Sequence, residues 1–201
     1  MHILSTHKNK LKKNGTVLIS GAKSFIDPND FKEIQSLLNK LPKEYVSIGD
    51  AGEKNSVTVS RIMTDSNKPK IVNSKISGKI LAILNDNYLK DFRYILGENK
   101  VFIRRAQLNI MKKNSFVGYH LDTDSNPDYL YAVVLQLGTK FEGGEYRVHK
   151  NNKFKDFTPD NKSIIISNCK LPHEVRKVQS GKRSSFVFFL SSHMNKNKRI
   201  N

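Results

Sequence analysis

The chain has 201 residues, 37% of them hydrophobic and 26% charged, a composition that excludes a disordered segment and favours one folded domain over two. No run approaches the roughly eighteen apolar residues of a membrane-crossing helix. The single cysteine, Cys169, excludes an intramolecular disulfide. The formal charge of +17 fits an electropositive surface for nucleic acid, or a composition in which lysine and asparagine are simply abundant. The second reading is preferred. Lysines cluster in short polar runs such as Lys8-Asn9-Lys10, and no basic stripe is interleaved with aromatic residues. Met1 to Lys8 lacks the apolar core of a secretion signal, and a cytoplasmic home is expected.

In chain order, residues 1–14 read as a basic, flexible lead-in and residues 15–192 as one domain. That domain divides into a helix-rich part, 15–99, and a jelly-roll core, 100–192. Residues 193–201 read as a basic tail. The first strand is expected at Thr16 to Ser20. Asp27-Pro28-Asn29-Asp30 supplies capping residues, and Phe31, Ile34, Leu37, Leu38 and Leu41 then recur at helical spacing until Pro42. Residues 48–55 read as a loop, and Ser56 to Ile62 alternates like a strand. Ile76, Ile80, Leu81, Ile83 and Leu84 predict a second helix. A short third one is expected from Tyr88 to Ile95, ended by Gly97.

Beyond residue 100 the pattern changes. Strand-like segments follow one another at 101–110, 129–137, 145–149, 153–157, 163–167, 174–178 and 184–190, with glycine, asparagine and proline between them. Many short strands at regular spacing predict a sandwich or jelly roll, with the preceding helices packed on one outer face. The expected class is α+β, mostly β.

His120 and Asp122 are two apart, so on a strand both side chains share one face. A third ligand must come from a distant segment, and His173 is the best-placed candidate. Two histidines and one carboxylate suit a ferrous ion with open positions, and a zinc hydrolase could use similar ligands. Arg183, ten residues past His173, is placed to hold a carboxylate, with Ser185 on the same strand face. Of the other histidines, His2, His7 and His193 fall in the tails. Arg104 and Arg105 are adjacent, so one faces into the fold and one out; the inward one suits a salt bridge at the rim or an anionic substrate group. Cys169 reads as a small buried residue.

Three segments carry a family resemblance. They are Met111 to Asp122; Tyr131 to Leu137 with Phe141-Glu142-Gly143-Gly144-Glu145; and Pro172-His173-Glu174-Val175 with Val178, Gly181 and Arg183. Together they resemble the Fe(II)/2-oxoglutarate-dependent dioxygenases, and within them the prolyl 4-hydroxylase-like branch. The resemblance implies a double-stranded β-helix with Fe(II) held by His120, Asp122 and His173. It also implies 2-oxoglutarate held by Arg183 and Ser185, with O2 as oxidant and ascorbate as reductant. The implied reaction couples decarboxylation of 2-oxoglutarate to succinate with hydroxylation of a prolyl or other amino-acid residue in a peptide or protein. A free amino acid or small metabolite is the alternative substrate.

The charge motivates a nucleic-acid-directed dioxygenase as a further alternative. However, alkylation-repair relatives carry a second arginine six residues after the first, and Phe189 stands there. A non-enzyme alternative is a metal-dependent sensor or a nucleic-acid-binding jelly roll. The chain departs from the branch at Met111, where a tyrosine is usual, and at Asn114, where a glycine is usual. Gln107, Asn109 and Tyr119 are the candidates to replace the tyrosine.

Overall fold

The computed structural model describes residues 2–66, 68–138 and 141–194. The N-terminus differs from the sequence expectation. Residues His2–Asn14 form helix α1 rather than a flexible lead-in. Leu4, His7 and Leu11 fall three and four apart on one inward stripe, Leu4 half-buried and the other two buried, which the histidine and the surrounding lysines disguise. His7 therefore lies in the core instead of in a loose tail. Most of the predicted basic C-terminal tail lies outside the described residues.

Strand β1 (Thr16–Ile19) and helix α2 (Pro28–Asn39) come next. The Asp27 side chain accepts from the backbone N–H of Asn29 (2.7 Å) and Asp30, and Pro28 opens the helix where no backbone donor is needed. Strands β2 (Glu44–Ile48), β3 (Lys54–Thr64) and β4 (Lys70–Ile71) follow. The sequence predicts neither β2 nor β4. β2 is a largely exposed edge strand, so it lacks the apolar alternation that marks a half-buried one. Helices α3 (Ser74–Ile83) and α4 (Leu89–Leu96) are joined by a π-helical turn over Leu84–Tyr88, and Gly97 ends α4 at φ +71°.

The second half is almost all strand: β5 (Phe102–Lys112), β6 (Val117–His120), a four-residue helix α5 (Asp122–Ser125), and β7 (Tyr131–Gln136). β8 (Phe141–Gly143), β9 (Tyr146–Lys150), β10 (Lys153–Phe157), β11 (Ile164–Asn168), β12 (His173–Val175) and β13 (Val178–Ser191) complete it. The strand order is β1-β11-β7-β13-β5-β3-β6-β12-β9-β10, and every pairing is antiparallel. The sheet folds over at β3, making a large face (β1 to β3) and a small one (β6 to β10). The result is the double-stranded β-helix predicted from the sequence, mostly β with helices on one side.

Alternation on β13 and β5 separates two cores. Phe186, Phe188 and Leu190, with Ala106 and Leu108, face the helices and join Ile34, Leu38, Ile80, Phe92 and Leu11. Val187 and Phe189, with Met111, face the barrel interior and join Val57, Val59, Ala132, Val134, Tyr146 and Val148. Burying an apolar side chain of this size contributes about 1.5–3 kcal/mol, so both faces of the large sheet are anchored. Among the described residues no helix is long and apolar enough to cross a membrane.

Candidate metal and cosubstrate site

His120 ends β6 and His173 opens β12, and the two stand directly opposite in the antiparallel ladder between those strands. Their rings lie 4.3 Å apart between centroids, tilted by 54°. Asp122 does not reach them by strand alternation, as the sequence reading supposed. It is the first residue of α5, so the chain turns into a helical loop that swings the carboxylate back between the imidazoles. Ser125 Oγ donates to the Asp122 carbonyl (2.8 Å) and Asn126 N–H to the same oxygen, which fixes that loop. Behind it, the Asn126 side chain and the Tyr129 hydroxyl both donate to Asp65 Oδ2.

The ligating atoms of His120, Asp122 and His173 all lie within 4.8 Å of one another. His120 Nε2 is 3.4 Å from Asp122 Oδ1, and His173 Nε2 is 3.7 Å from Asp122 Oδ2. Each imidazole has its Nδ1 beside a backbone carbonyl, at 2.8 Å from Gly118 O and 3.0 Å from Leu171 O. In the neutral ring that contact fixes the proton on Nδ1 and leaves Nε2 as a lone pair. Two lone pairs and a carboxylate facing one small space form a donor set for a cation, with carbonyls holding the rings as they do behind metal-bound histidines.

Burial alone would raise the Asp122 pKa, but His173 and His120 outweigh it and hold the carboxyl below its ordinary range. Burial likewise pulls against His120, whose pKa the Asp122 hydrogen bond and charge hold above normal; burial dominates at His173 and lowers it. Cys169 is a buried thiol beside Asp122, pushed well up by desolvation and by that charge.

Deeper in the barrel, Arg183 is 2% exposed, and its Nη1 lies 3.3 Å from Ser185 Oγ and 3.6 Å from Met111 Sδ. Nε and Nη2 have no hydrogen-bond partner among the described residues, and desolvation pushes the guanidinium down to about 10. A buried, half-satisfied guanidinium is costly on its own and well matched to a carboxylate, which its planar fork meets with two parallel bonds. Two further polar groups converge there that the sequence reading missed. Gln136 stands opposite Ser185 in the β13–β7 ladder, fully buried, with neither side-chain atom paired among the described residues. Tyr146 stacks on His173 (5.0 Å, 27°), and burial with the Asp122 charge raises its pKa well above the ordinary value. A signal for Gln136 did exist: it is the one amide in the run Tyr-Ala-Val-Val-Leu-Gln-Leu.

Among the candidates to replace the missing tyrosine, Gln107 and Asn109 line the cavity, whereas Tyr119 is 59% exposed on the outer face. Asn114 takes φ +70°, the left-handed backbone that glycine favours and asparagine tolerates. Arg105 faces the cavity and pairs with Asp50, while Arg104 lies on the other face and donates to the His193 carbonyl at 2.7 Å.

The fold is a jelly roll, and this donor set is one that could hold a single metal ion. The model of the 2OG-Fe(II) oxygenase superfamily matches residues 106–191. An oxidoreductase of the 2OG-Fe(II) oxygenase family from Burkholderia pseudomallei is 38% identical, with a TM-score of 0.89 over 98% of this chain and 94% of that one. This chain belongs to the 2OG-Fe(II) oxygenase superfamily and is an oxygenase. The fold is shared with a prolyl hydroxylase from Trichoplax adhaerens in complex with a hypoxia-inducible-factor peptide fragment (14% identity, TM-score 0.68, 94% of this chain and 90% of that one). It is also shared with a prolyl-4-hydroxylase from Pseudomonas putida (15%, TM-score 0.63, 94% and 98%). No curated protein matches the chain. The family implies Fe(II), 2-oxoglutarate and O2, and the buried His-Asp-His cluster fits the iron.

Proposed function

We propose that the chain is a 2-oxoglutarate-dependent hydroxylase in which His120, Asp122 and His173 hold Fe(II) and Arg183 with Ser185 holds the cosubstrate. The observation that carries this reading is the inward-facing set of two Nε2 lone pairs and one carboxylate within 4.8 Å. Bound there, Fe(II) with 2-oxoglutarate and O2 supplies the oxidative decarboxylation to succinate and CO2 that places one oxygen atom into a substrate C–H bond.

The protein's share is binding and orientation. Asp122 offsets cationic charge, and the Gly118 and Leu171 carbonyls keep both Nε2 atoms aimed inward. Arg183 takes the far carboxylate of 2-oxoglutarate, with Ser185, Gln136 and the Tyr146 hydroxyl as further donors nearby. Val134 and Val187 form an apolar wall that keeps water from the reacting centre.

The substrate class this reading favours is a prolyl or other amino-acid residue in a peptide or protein. Its support is the fold shared with prolyl hydroxylases, one of them holding a peptide. A free amino acid is the second reading, because Arg105 gives the cavity a cation suited to a free carboxylate. The test is direct. Fe(II) and 2-oxoglutarate added anaerobically should give a weak visible charge-transfer band, and admitting O2 with ascorbate present should give succinate. Neither band nor succinate would sink the reading. Asp122→Ala should lose iron binding, and unchanged iron affinity in that variant would refute the ligand set.

A further inference from the structure

We propose that Arg105 is the subsite for a carboxylate of the hydroxylation substrate, and that Asp50 occupies it as a built-in stand-in. The proposal rests on the oxygenase reading above and narrows its substrate class. Arg105 lies on β5 directly opposite Phe189 of β13, six residues along from Arg183. At the rise of a strand, the two arginines mark the ends of one cavity wall about 20 Å apart. Arg183 sits at the deep end and Arg105 at the outer one. Asn109 and Gln107 fill the β5 positions between them, opposite Ser185 and Val187 of β13.

The guanidinium is anchored from behind. Arg105 Nη2 donates to Gln107 Oε1 (2.9 Å), and Gln107 Nε2 donates on to Asn109 Oδ1 (2.7 Å). The Phe189 ring lies 5.7 Å from the guanidinium carbon, a cation–π contact that persists whatever the other edge binds. That other edge, Nη1, meets Asp50 Oδ2.

Asp50 belongs to the turn between β2 and β3, on a hairpin whose β2 strand is largely exposed. Its side chain is 31% exposed, against 10% for Arg105. The turn has its own closing bonds, Gly49 N–H to Glu53 O (2.8 Å) and Gly52 N–H to Gly49 O (3.1 Å), so it keeps its shape if Asp50 releases. The Tyr129 hydroxyl also bonds Arg105 and the Asp65 charge lies near it, but losing Asp50 still strips the Nη1 edge of its ion-pair partner, which is costly for a buried guanidinium. Exchanging one carboxylate for another avoids that cost, while Asp50 gains water. A neutral group would exchange the ion pair for a weaker hydrogen bond. The wall therefore selects a substrate that carries its own carboxylate, either the α-carboxylate of a free amino acid or an acidic side chain in a peptide.

The test compares carboxylates with their amides on wild type, Arg105→Gln and Asp50→Asn, each saturated with Fe(II) and 2-oxoglutarate under anaerobic conditions. Binding is read by calorimetry. The probes are a panel of free amino acids against their carboxamides, and amide-capped Glu-Pro-Gly against Gln-Pro-Gly. In wild type the carboxylate member of at least one pair should bind about tenfold more tightly, and which pair responds names the source. Arg105→Gln should erase that ratio, and Asp50→Asn, which removes the internal competitor but leaves the cation, should tighten carboxylate binding several-fold. A ratio near one in wild type for both panels, or a ratio that survives Arg105→Gln, overturns the subsite. If Arg105→Gln fails to fold, unchanged or weaker carboxylate binding by Asp50→Asn overturns it equally. Succinate formation is measured separately, so failure of the oxygenase reading shows as no turnover and failure of the subsite as no carboxylate preference.

Discussion

Gly144 sits against the stem of Arg183. A Cβ built there would stand 3.0 Å from Arg183 Cδ and 3.1 Å from Val178 Cγ2, on a backbone with φ +67°. Gly144→Ala should therefore cost about 1–2 kcal/mol for the left-handed backbone alone. It should also weaken 2-oxoglutarate binding by displacing the guanidinium, which isothermal titration would read beside a urea unfolding curve. Arg183→Ala should weaken 2-oxoglutarate far more, while iron binding persists. The histidines add a pH dependence. Only neutral imidazoles ligate, and His120 is the one whose pKa is held above normal. Fe(II) affinity should fall as pH drops through that raised value, His120 taking up its proton before His173, as an NMR titration of the ring protons would follow. The histidines, Asp122, Arg183 and Ser185 were legible because ordered chemistry-bearing residues stand out in a sequence. Gln136 and Tyr146 were not, because a polar atom within an apolar strand reveals its inward aim only once the strand register is known.

Elements were legible where one face is apolar and the other is not. α2 and the strand β5 meet that condition, and β13 stood out instead as a continuous apolar run, Phe186 to Leu190, buried on both faces, so the sequence located all three, though their ends shifted by several residues. α1 escaped because its inward stripe is Leu4, His7 and Leu11, a pattern that reads as polar at its centre. Its contribution is measurable: Leu11→Ala should destabilise the fold by about 2–5 kcal/mol in chemical denaturation. Asp122 sits on a helical turn because α5 interrupts the strand, and spacing alone could not separate that from a continuing strand. The π-helical turn offers a second test. Its Tyr88 hydroxyl donates to Asp30 and accepts from the Asp27 N–H (3.0 Å), tying α2 to the turn. Burial and the Asp30 hydrogen bond raise the Tyr88 pKa from 10.0 to about 12. The native state thus holds the phenol proton more tightly than the unfolded chain. The stability this adds is fully present below pH 10 and is lost as pH rises through about 12. The difference in stability between wild type and Tyr88→Phe should shrink over that window, and a constant difference would show that the proton is not involved.

At the scale of the molecule, one folded-over sheet separates a helix-facing core from a barrel core, and the site opens only from the second. That division explains why the jelly roll could be anticipated from strand count and turn chemistry, whereas the pairing of β3 with both β5 and β6 could not. It depends on contacts between residues far apart in sequence. Because Arg183 is buried and half-satisfied before any ligand arrives, 2-oxoglutarate should raise the melting temperature of the whole domain, and Arg183→Ala should lose that shift. The pairing of His120 with His173 carries one more consequence. The two residues stand opposite each other on neighbouring strands whose connection through the chain runs by way of β7, β8, β9, β10 and β11. A divalent ion held between them would act as a removable crosslink closing that long loop, much as a disulfide restricts an unfolded chain. Amide hydrogens of β6 and β12 should then exchange more slowly with Fe(II) present than after chelation, while those of α2, packed on the helix-facing side of the large sheet, should not respond.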